Sequence, residues 1–261
     1  DKTVPAQLMG AASADLPSSQ LVTGPMSTGR HRGERLGACT DCRRFWSRYR
    51  AGEIDKDEID RVEVRLASTA GTCAVMGTAS TMAIITEVLG MSLPGTAAIP
   101  AVAAERLVAA EESGKAAVSM LSNPIKPSEI ITEKSIENAL RVLMAVSGST
   151  NAVLHLAAVA GRRGIQISDS RLNDISEETP VLVDLKPVGK GYMEDFHTAG
   201  GVGGVLRELK SLLHLDTMNI LGQTLEDRLS EPLEWVDREV IRSFDDPLSP
   251  QGLSLIHISE P

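Results

Sequence analysis

Apolar positions along this chain recur mostly at the three- and four-residue spacing of helices, broken by glycine- and proline-bearing loops. The first 38 residues read as loop-rich, with short apolar pieces such as AQLMGAA among Gly, Pro and Ser, and SSQLVTGPM as a buried strand ending in a Gly-Pro turn. From position 40 to about 66 the pattern is helical and charged, in two pieces, RRFWSRYRAGEI and KDEIDRVEVRLAS. A loop of small residues, GTCAVMGTASTM, then leads into an apolar helix that ends at Gly90 and Pro94. IPAVAAERLVAAEESGKAAVSML and SEIITEKSIENALRVLMAVSG give two further helical patterns. STNAVLHLAAVAGRRG reads as a helix capped by Ser149, Thr150 or Asn151 and closed by Gly161 or Gly164.

IQIS, which follows that helix, and PVLVDLKP read as strands, the second with its alternation obscured by burial. GGVGGVLRELKSLLH is a glycine-rich turn opening a helix, while TLEDRLSE and EWVDREVIRSF are polar enough for a domain edge. No internal repeat or low-complexity linker is visible. The expectation is an α/β protein, a three-layer α/β/α domain with a mostly buried sheet and helices on both faces.

Composition narrows the function classes. The chain has 261 residues, 42% hydrophobic and 23% charged, with only 3% aromatic, which suits close-packed helices and Gly-rich loops. A net charge of -9 argues against nucleic acid as the main partner, because a basic face is its usual footprint. The basic run CRRFWSRYR then reads as a solvated helix face. No apolar stretch approaches the roughly 20 residues that span a bilayer, so no membrane partner is expected. Three cysteines do not make a disulfide framework, and the natural reading is a reducing cytoplasm. The chain opens DKTVPAQLMG without an initiator methionine and closes SPQGLSLIHISEP, an apolar run with no capping logic; both ends read as cuts, with the last eight or so residues non-native.

Five features carry candidate chemistry. Cys73 stands on a donor-rich loop directly before a helix, a placement for thiolate reactivity or metal ligation, where a structural cysteine would sit among aliphatics. Cys39 and Cys42 form CTDC, but a zinc site wants a second pair of Cys or His ligands, and only His31 lies near. A redox pair or plain structural cysteines are the other readings, the last favoured. GGVGG at 200–204 resembles part of a phosphate loop, yet YMEDFHTA before it is no apolar strand, so a tight structural turn is preferred to a nucleotide site. Ser149, Thr150 and Asn151 at a helix start make either an anion site or an amply furnished N-cap. His155, on or beside the apolar face of the same helix, reads as a satisfied core residue before it reads as a ligand.

In order, DKTVPAQLMGAASADLPSSQLVTGPM, GERLGACTDCRRFW, GTCAVMGTASTM, EVLGMSLPGTAAIPA, GSTNAVLHL and MEDFHTAGGVGGVL resemble the family of dihydroxy-acid and 6-phosphogluconate dehydratases, which includes the sugar-acid dehydratases. The matching stretches run from residue 1 to about 229, and CTDC…FW…YRAGEID leans towards the sugar-acid branch, such as arabinonate dehydratase. The resemblance implies that residues 1–240 are the family's N-terminal-type α/β domain, truncated at its start, and that 241–261 begin a linker towards a C-terminal barrel domain.

It also implies an iron–sulfur cluster, [2Fe-2S] or [4Fe-4S], ligated by Cys73, by a cysteine directly before Asp1 and by a third further upstream. Asp1 and Lys2, the lysine as a carbamate, would hold Mg²⁺; CTDC takes no part in the cluster. The implied reaction removes water from a 2,3-dihydroxy carboxylic acid, a sugar acid by preference, to give a 2-keto-3-deoxy acid. Dehydration of a branched-chain amino-acid precursor is the alternative. The catalytic base, a serine, belongs to the barrel domain, so this chain by itself is expected to be inactive. Ser149, Thr150 and Asn151 are candidates for holding substrate, a small hydroxy acid. The full protein is expected to be a homo-oligomer, a dimer or tetramer.

Overall fold

The computed structural model describes residues 1–252, and helices dominate it. In chain order they are α1 (Thr3–Ala14), α2 (Ala38–Arg50), α3 (Lys56–Leu66), α4 (Thr78–Val88), α5 (Ala104–Ser119), α6 (Pro127–Ile130), α7 (Glu133–Ala145), α8 (Asn151–Arg162), α9 (Asp169–Glu178), α10 (Met193–Thr198), α11 (Gly201–Glu208) and α12 (Leu225–Ser230). One antiparallel hairpin, β1 (Gly29–His31) and β2 (Glu34–Leu36), pairs Gly29 with Leu36 and His31 with Glu34.

The α/β class stands, but strand content is smaller than expected, and the described residues hold no large buried sheet. The segment at 181–185 is extended and buried, as PVLVDLKP implied. Instead of one ladder it makes single bridges to three places: Val181 to Ser249, Val183 to Ile241 and Leu185 to Gly191. Its backbone groups are satisfied piecemeal by loops, which removes the need for neighbouring strands. IQIS forms no strand either. The segment at 20–26 makes one parallel bridge, Pro25 to Thr72.

The principal core is built around α4 and α7. Met82, Ile84, Ile85 and Leu89 from the first, and Val142, Leu143, Met144 and Ala145 from the second, have no measurable exposure. A helix buried on all sides is apolar all round, which is why MAIITEVLGM shows little amphipathicity. Glu87 is the exception, its carboxylate buried against the backbone N–H groups of Gly95 and Ala97 and the guanidinium of Arg228. Leu8 and Ala12 of α1 and Ala152, Leu156, Val159 and Ala160 of α8 close one side of this core. A separate small core joins Leu36, Phe45, Ile59, Val62 and Leu66 under the hairpin and α2 and α3.

α1 corrects the reading of the first 38 residues as loop-rich. Pro5 falls in its first turn, where a missing N–H costs nothing, and the Ala residues supply helix propensity despite Gly10. Residues 241 to 252 pack back on the domain, with Ile241 buried and Arg242 and Leu248 donating backbone bonds to Leu182 and Val181. The tail thought to be non-native, 253–261, lies outside the described residues. Among the described residues no helix is long and apolar enough to cross a membrane.

Candidate functional site

The loop carrying Cys73 is pinned on nearly every residue. Thr72 donates its N–H to Gly24 O at 2.9 Å, and its carbonyl accepts from Met26 N at 2.8 Å. Ala74 O accepts from Met193 N at 2.8 Å, Met76 N donates to Lys186 O at 2.9 Å, and Ser80 Oγ donates to Val75 O at 3.1 Å and Cys73 O at 3.3 Å. The loop enters through Gly71, whose φ of 132° suits only glycine and where an added Cβ would stand 2.4 Å from Met26 N. Cys73 is thus half-buried on a rigid loop just before α4, while Ala74, Val75 and Met76 anchor it inward.

Behind the loop lies a buried polar cluster that sequence reasoning missed. Tyr192, 2% exposed, accepts from Lys186 Nζ at 2.7 Å, and its hydroxyl lies 3.0 Å from Arg35 O and 3.1 Å from Asp41 Oδ2. Asp41 Oδ2 also accepts from Gly37 N at 2.7 Å. Burial alone would raise the Asp41 pKa; the Gly37 N–H, Lys186 and Arg44 outweigh it and hold the carboxyl below its ordinary value. Burial pushes the Tyr192 hydroxyl up, so it stays protonated as a donor. Arg35 meets Asp195 bidentately, at 2.6 and 2.8 Å, and its guanidinium also lies over the Tyr192 ring. Asp41 sat in plain view between the two cysteines of CTDC.

The start of α4 is tied to the start of α8. Thr78 Oγ1 and Ser149 Oγ are 2.8 Å apart, Ser149 N donates to Thr81 Oγ1 at 3.0 Å, and Asn151 Nδ2 reaches Thr78 Oγ1 at 3.3 Å. The N-cap alternative for Ser149–Asn151 is not what these groups do: Thr150 makes no side-chain cap, and the Ser149 and Asn151 side chains turn to α4.

α1 runs alongside α8 in the same direction. Asp15, just past the end of α1, pairs with Arg163 at the end of α8 at 3.9 Å. Thirteen residues back along each, Lys2 falls level with Thr150. The same proximity registers at His155. Burial lowers the pKa of its ring, and the positive charge of Lys2 lowers it further. His155 is also not the satisfied core residue expected: its Nε2 is buried without a hydrogen-bond partner.

The structure thus joins the start of α4, just past the Cys73 loop, to the Ser149–Asn151 start of α8, while Asp1 and Lys2 lie exposed at the start of α1, which packs against α8. None of the three has a side-chain cap; at α8 the carbonyls of Ser149 and Thr150 take the N–H groups of Ala152 and Val153 instead, at 2.9 and 3.1 Å. Cys39 and Cys42 lie elsewhere in role: both belong to α2, and Cys42 packs against the Leu36–Phe45 core beside Trp46. GGVGG is a buried turn into α11; Gly200 takes φ 113° and a Cβ at Gly204 would press on Ile241 at 3.1 Å. That is close packing, as preferred from sequence. A cavity of about 750 Å³ lies away from this end, between α5 and the 93–99 loop, lined by apolar Leu93, Val108, Ala109 and Ala116.

A family model for the N-terminal region of dihydroxy-acid/6-phosphogluconate dehydratases matches residues 1–228, and the chain belongs to that family. Among its relatives is an L-arabinonate dehydratase of Rhizobium leguminosarum bv. trifolii, 44% identical over 97% of this chain and 44% of its own length. A dihydroxy-acid dehydratase of Acetivibrio thermocellus is 41% identical over 97% of this chain and 46% of its own. A 6-deoxy-6-sulfo-D-gluconate dehydratase of Pseudomonas putida is 38% identical over 95% and 43%. The chain thus spans less than half the length of these relatives.

Proposed function

We propose that this chain is the cofactor-bearing part of a hydro-lyase that converts a 2,3-dihydroxy carboxylic acid, a sugar acid by preference, into a 2-keto-3-deoxy acid. The observation that supports the reading is the tie between the start of α4, just past the Cys73 loop, and Ser149–Asn151 at the start of α8, beside the helix that begins at Asp1 and Lys2. The chemistry removes a proton from C2 and hydroxide from C3; the enol so formed tautomerises to the keto acid, and the net loss is one water. When bound, an iron–sulfur cluster with an open iron and a Mg²⁺ ion supply Lewis acidity to the leaving hydroxyl and to the carboxylate and C2 oxygens.

The residues at this end suit both groups. Cys73 offers one thiolate from a loop whose backbone is held on both sides, which fixes the sulfur without help from the cluster. Asp1 and Lys2 are exposed at the mouth of α1, where a carboxylate and a carbamate would give the hard oxygen donors Mg²⁺ prefers. Thr150 and the hydroxyl and amide of Ser149 and Asn151 would orient an anionic substrate, helped by the positive end of the α8 dipole. The remaining cluster and Mg²⁺ ligands and the proton-abstracting base are assigned to parts of the full-length protein beyond this chain. Among the described residues no group of three or more His, Cys, Asp or Glu is disposed to hold a metal.

The test is iron and sulfide content of the full-length protein purified anaerobically, as wild type, Cys73→Ser and Cys39→Ser/Cys42→Ser. Loss in Cys73→Ser alone supports the reading and justifies a panel of 2,3-dihydroxy acids as substrates. Loss in the double variant alone would overturn it in favour of a CTDC metal or redox site. The 261-residue chain alone should turn over no sugar acid.

A further inference from the structure

His155 stands on the apolar stripe of α8, between Ala152 and Leu156 and one turn before Val159, all three without measurable exposure. Its Nε2 is shut off from solvent and meets no donor or acceptor. Other buried polar atoms without a partner are arginine Nε atoms, whose guanidinium groups bond elsewhere, and oxygens of Ser18, Ser19, Gln20 and Ser92. His155 is the one imidazole among them. An unpaired nitrogen in such a place weakens the fold, and its persistence calls for a group that satisfies it in the working protein.

The neighbouring helix supplies the candidate. Lys2 lies level with the first residues of α8, and His155 sits just over one turn further in, about 6 to 8 Å along the axis. A lysine side chain covers that rise. With the ring proton on Nε2, an ammonium, which carries three donors and no acceptor, cannot satisfy it. A carbamate changes both reach and sign, because it extends the side chain beyond Nζ and ends it in two acceptor oxygens.

We propose that His155 is a positioning residue for Lys2: its Nε2–H donates to one oxygen of the Lys2 carbamate and leaves the other oxygen turned outward to the metal. The proposal rests on the reading of Lys2 as a carbamylated Mg²⁺ ligand. The modification balances simply. The neutral Lys2 amine attacks carbon dioxide, an N–C bond forms, one C=O pair moves onto oxygen, and the amine proton passes to solvent. A hydrogen bond from Nε2–H favours the anionic product over the free amine, and it fixes the ligand's direction as outer-shell partners do for metal-bound groups.

The experiment uses the full-length protein equilibrated with ¹³C-bicarbonate. The carbamate resonance is read by ¹³C NMR and Mg²⁺ affinity by calorimetry, in wild type, His155→Leu and His155→Gln. The expected result is a carbamate signal in wild type that falls sharply in His155→Leu, with Mg²⁺ affinity weakened about 10-fold or more. His155→Gln, which keeps an N–H donor, should recover most of both. Wild-type carbamate and Mg²⁺ affinity in a folded His155→Leu would overturn the proposal while leaving the carbamate reading intact. No carbamate in wild type would overturn both. Since the leucine variant has to fold to be informative, the ¹⁵N shift of His155 Nε2 in unaltered protein provides a second, independent measurement. It should move when bicarbonate is added, and a shift indifferent to bicarbonate would overturn the proposal.

Discussion

Helix starts in this molecule fall into two kinds. At α3, α7, α9 and α12 the chain closes its own first turn. Asp55 accepts from Glu58 N at 2.8 Å and Ser168 from Arg171 N at 3.2 Å, while Thr132 with Ser135 and Thr224 with Asp227 form reciprocal boxes. At α1, α4 and α8 the corresponding positions are Lys2, Gly77 and Thr150, and none of them caps. α5 and α11 also lack a side-chain cap, so openness alone does not mark a site. What sets α4 and α8 apart is that their starts are tied to each other through Thr78, Thr81, Ser149 and Asn151, with α1 packed alongside α8, and that the Cys73 loop is held from behind. The closed starts serve stability within one helix; at α4 and α8 the side chains of Thr78, Ser149 and Asn151 bond across to the neighbouring helix instead.

The sharpest way to break this contrast is at Cys73. Cys73→Ser should bring cluster iron in the full-length protein to background, while the fold, read by circular dichroism, stays intact, since backbone bonds at Thr72, Ala74 and Met76 hold the loop. A folded variant retaining its iron would return the open helix starts to mere irregularity.

Gly71→Ala attacks the support rather than the ligand. A Cβ there would meet Met26 N at 2.4 Å in a backbone conformation that alanine resists. Destabilisation of about 3 kcal/mol in urea unfolding is expected, together with reduced iron loading. Loss of stability with full loading would mean that the loop adjusts, and that its rigidity does not matter to the site.

Asp41→Ala tests the cluster beneath. Asp41 is 1% exposed, and its removal leaves the Gly37 N–H without its acceptor and the Lys186 ammonium without its carboxylate partner, a cost of about 2–3 kcal/mol. The same network gives an acid signature. Asp41 and Asp195 both titrate below the ordinary carboxyl range in the folded protein, because their bonds to Gly37 N and to Arg35 outweigh burial. Their contribution is therefore complete above the unfolded value of about 3.9 and is lost as pH falls through the lower folded values. Urea midpoints should drop between about pH 5 and pH 2, less steeply in Asp41→Ala. Equal slopes in the two proteins would take Asp41 out of the acid response.

How much of this was legible beforehand depends on the range of the interactions involved. α2, α3, α4, α7 and α8 follow from periodicity and caps within each segment, and the Cys73 loop and Ser149–Asn151 are local motifs. α1 was not legible, because TVPAQLMGAASA spreads its apolar residues without a stripe and carries Pro and Gly. The strand at 181–185 reads correctly as extended, yet what it pairs with depends on residues far along the chain, Ser249 among them. The Asp41–Tyr192 contact spans 151 positions, and no spacing rule reaches that far. His155 was visible as a residue, but its unpaired nitrogen is a property of packing alone.

The smallest effect separates the two kinds of helix start most directly. Thr132→Ala removes a working cap on α7 and should cost about 1 kcal/mol. Thr150→Ala removes a threonine of the same nominal position on α8 that bonds to no first-turn N–H, so its effect on stability should stay within about 0.5 kcal/mol. Under the proposed function the order reverses in kinetics. Thr150→Ala should raise KM for the hydroxy acid while Thr132→Ala leaves it alone, because only the first removes a hydroxyl from the Ser149–Asn151 stretch proposed to hold substrate. A destabilisation by Thr150→Ala as large as that of Thr132→Ala, with KM unchanged, would make α8 an ordinary capped helix and dissolve the distinction at its centre.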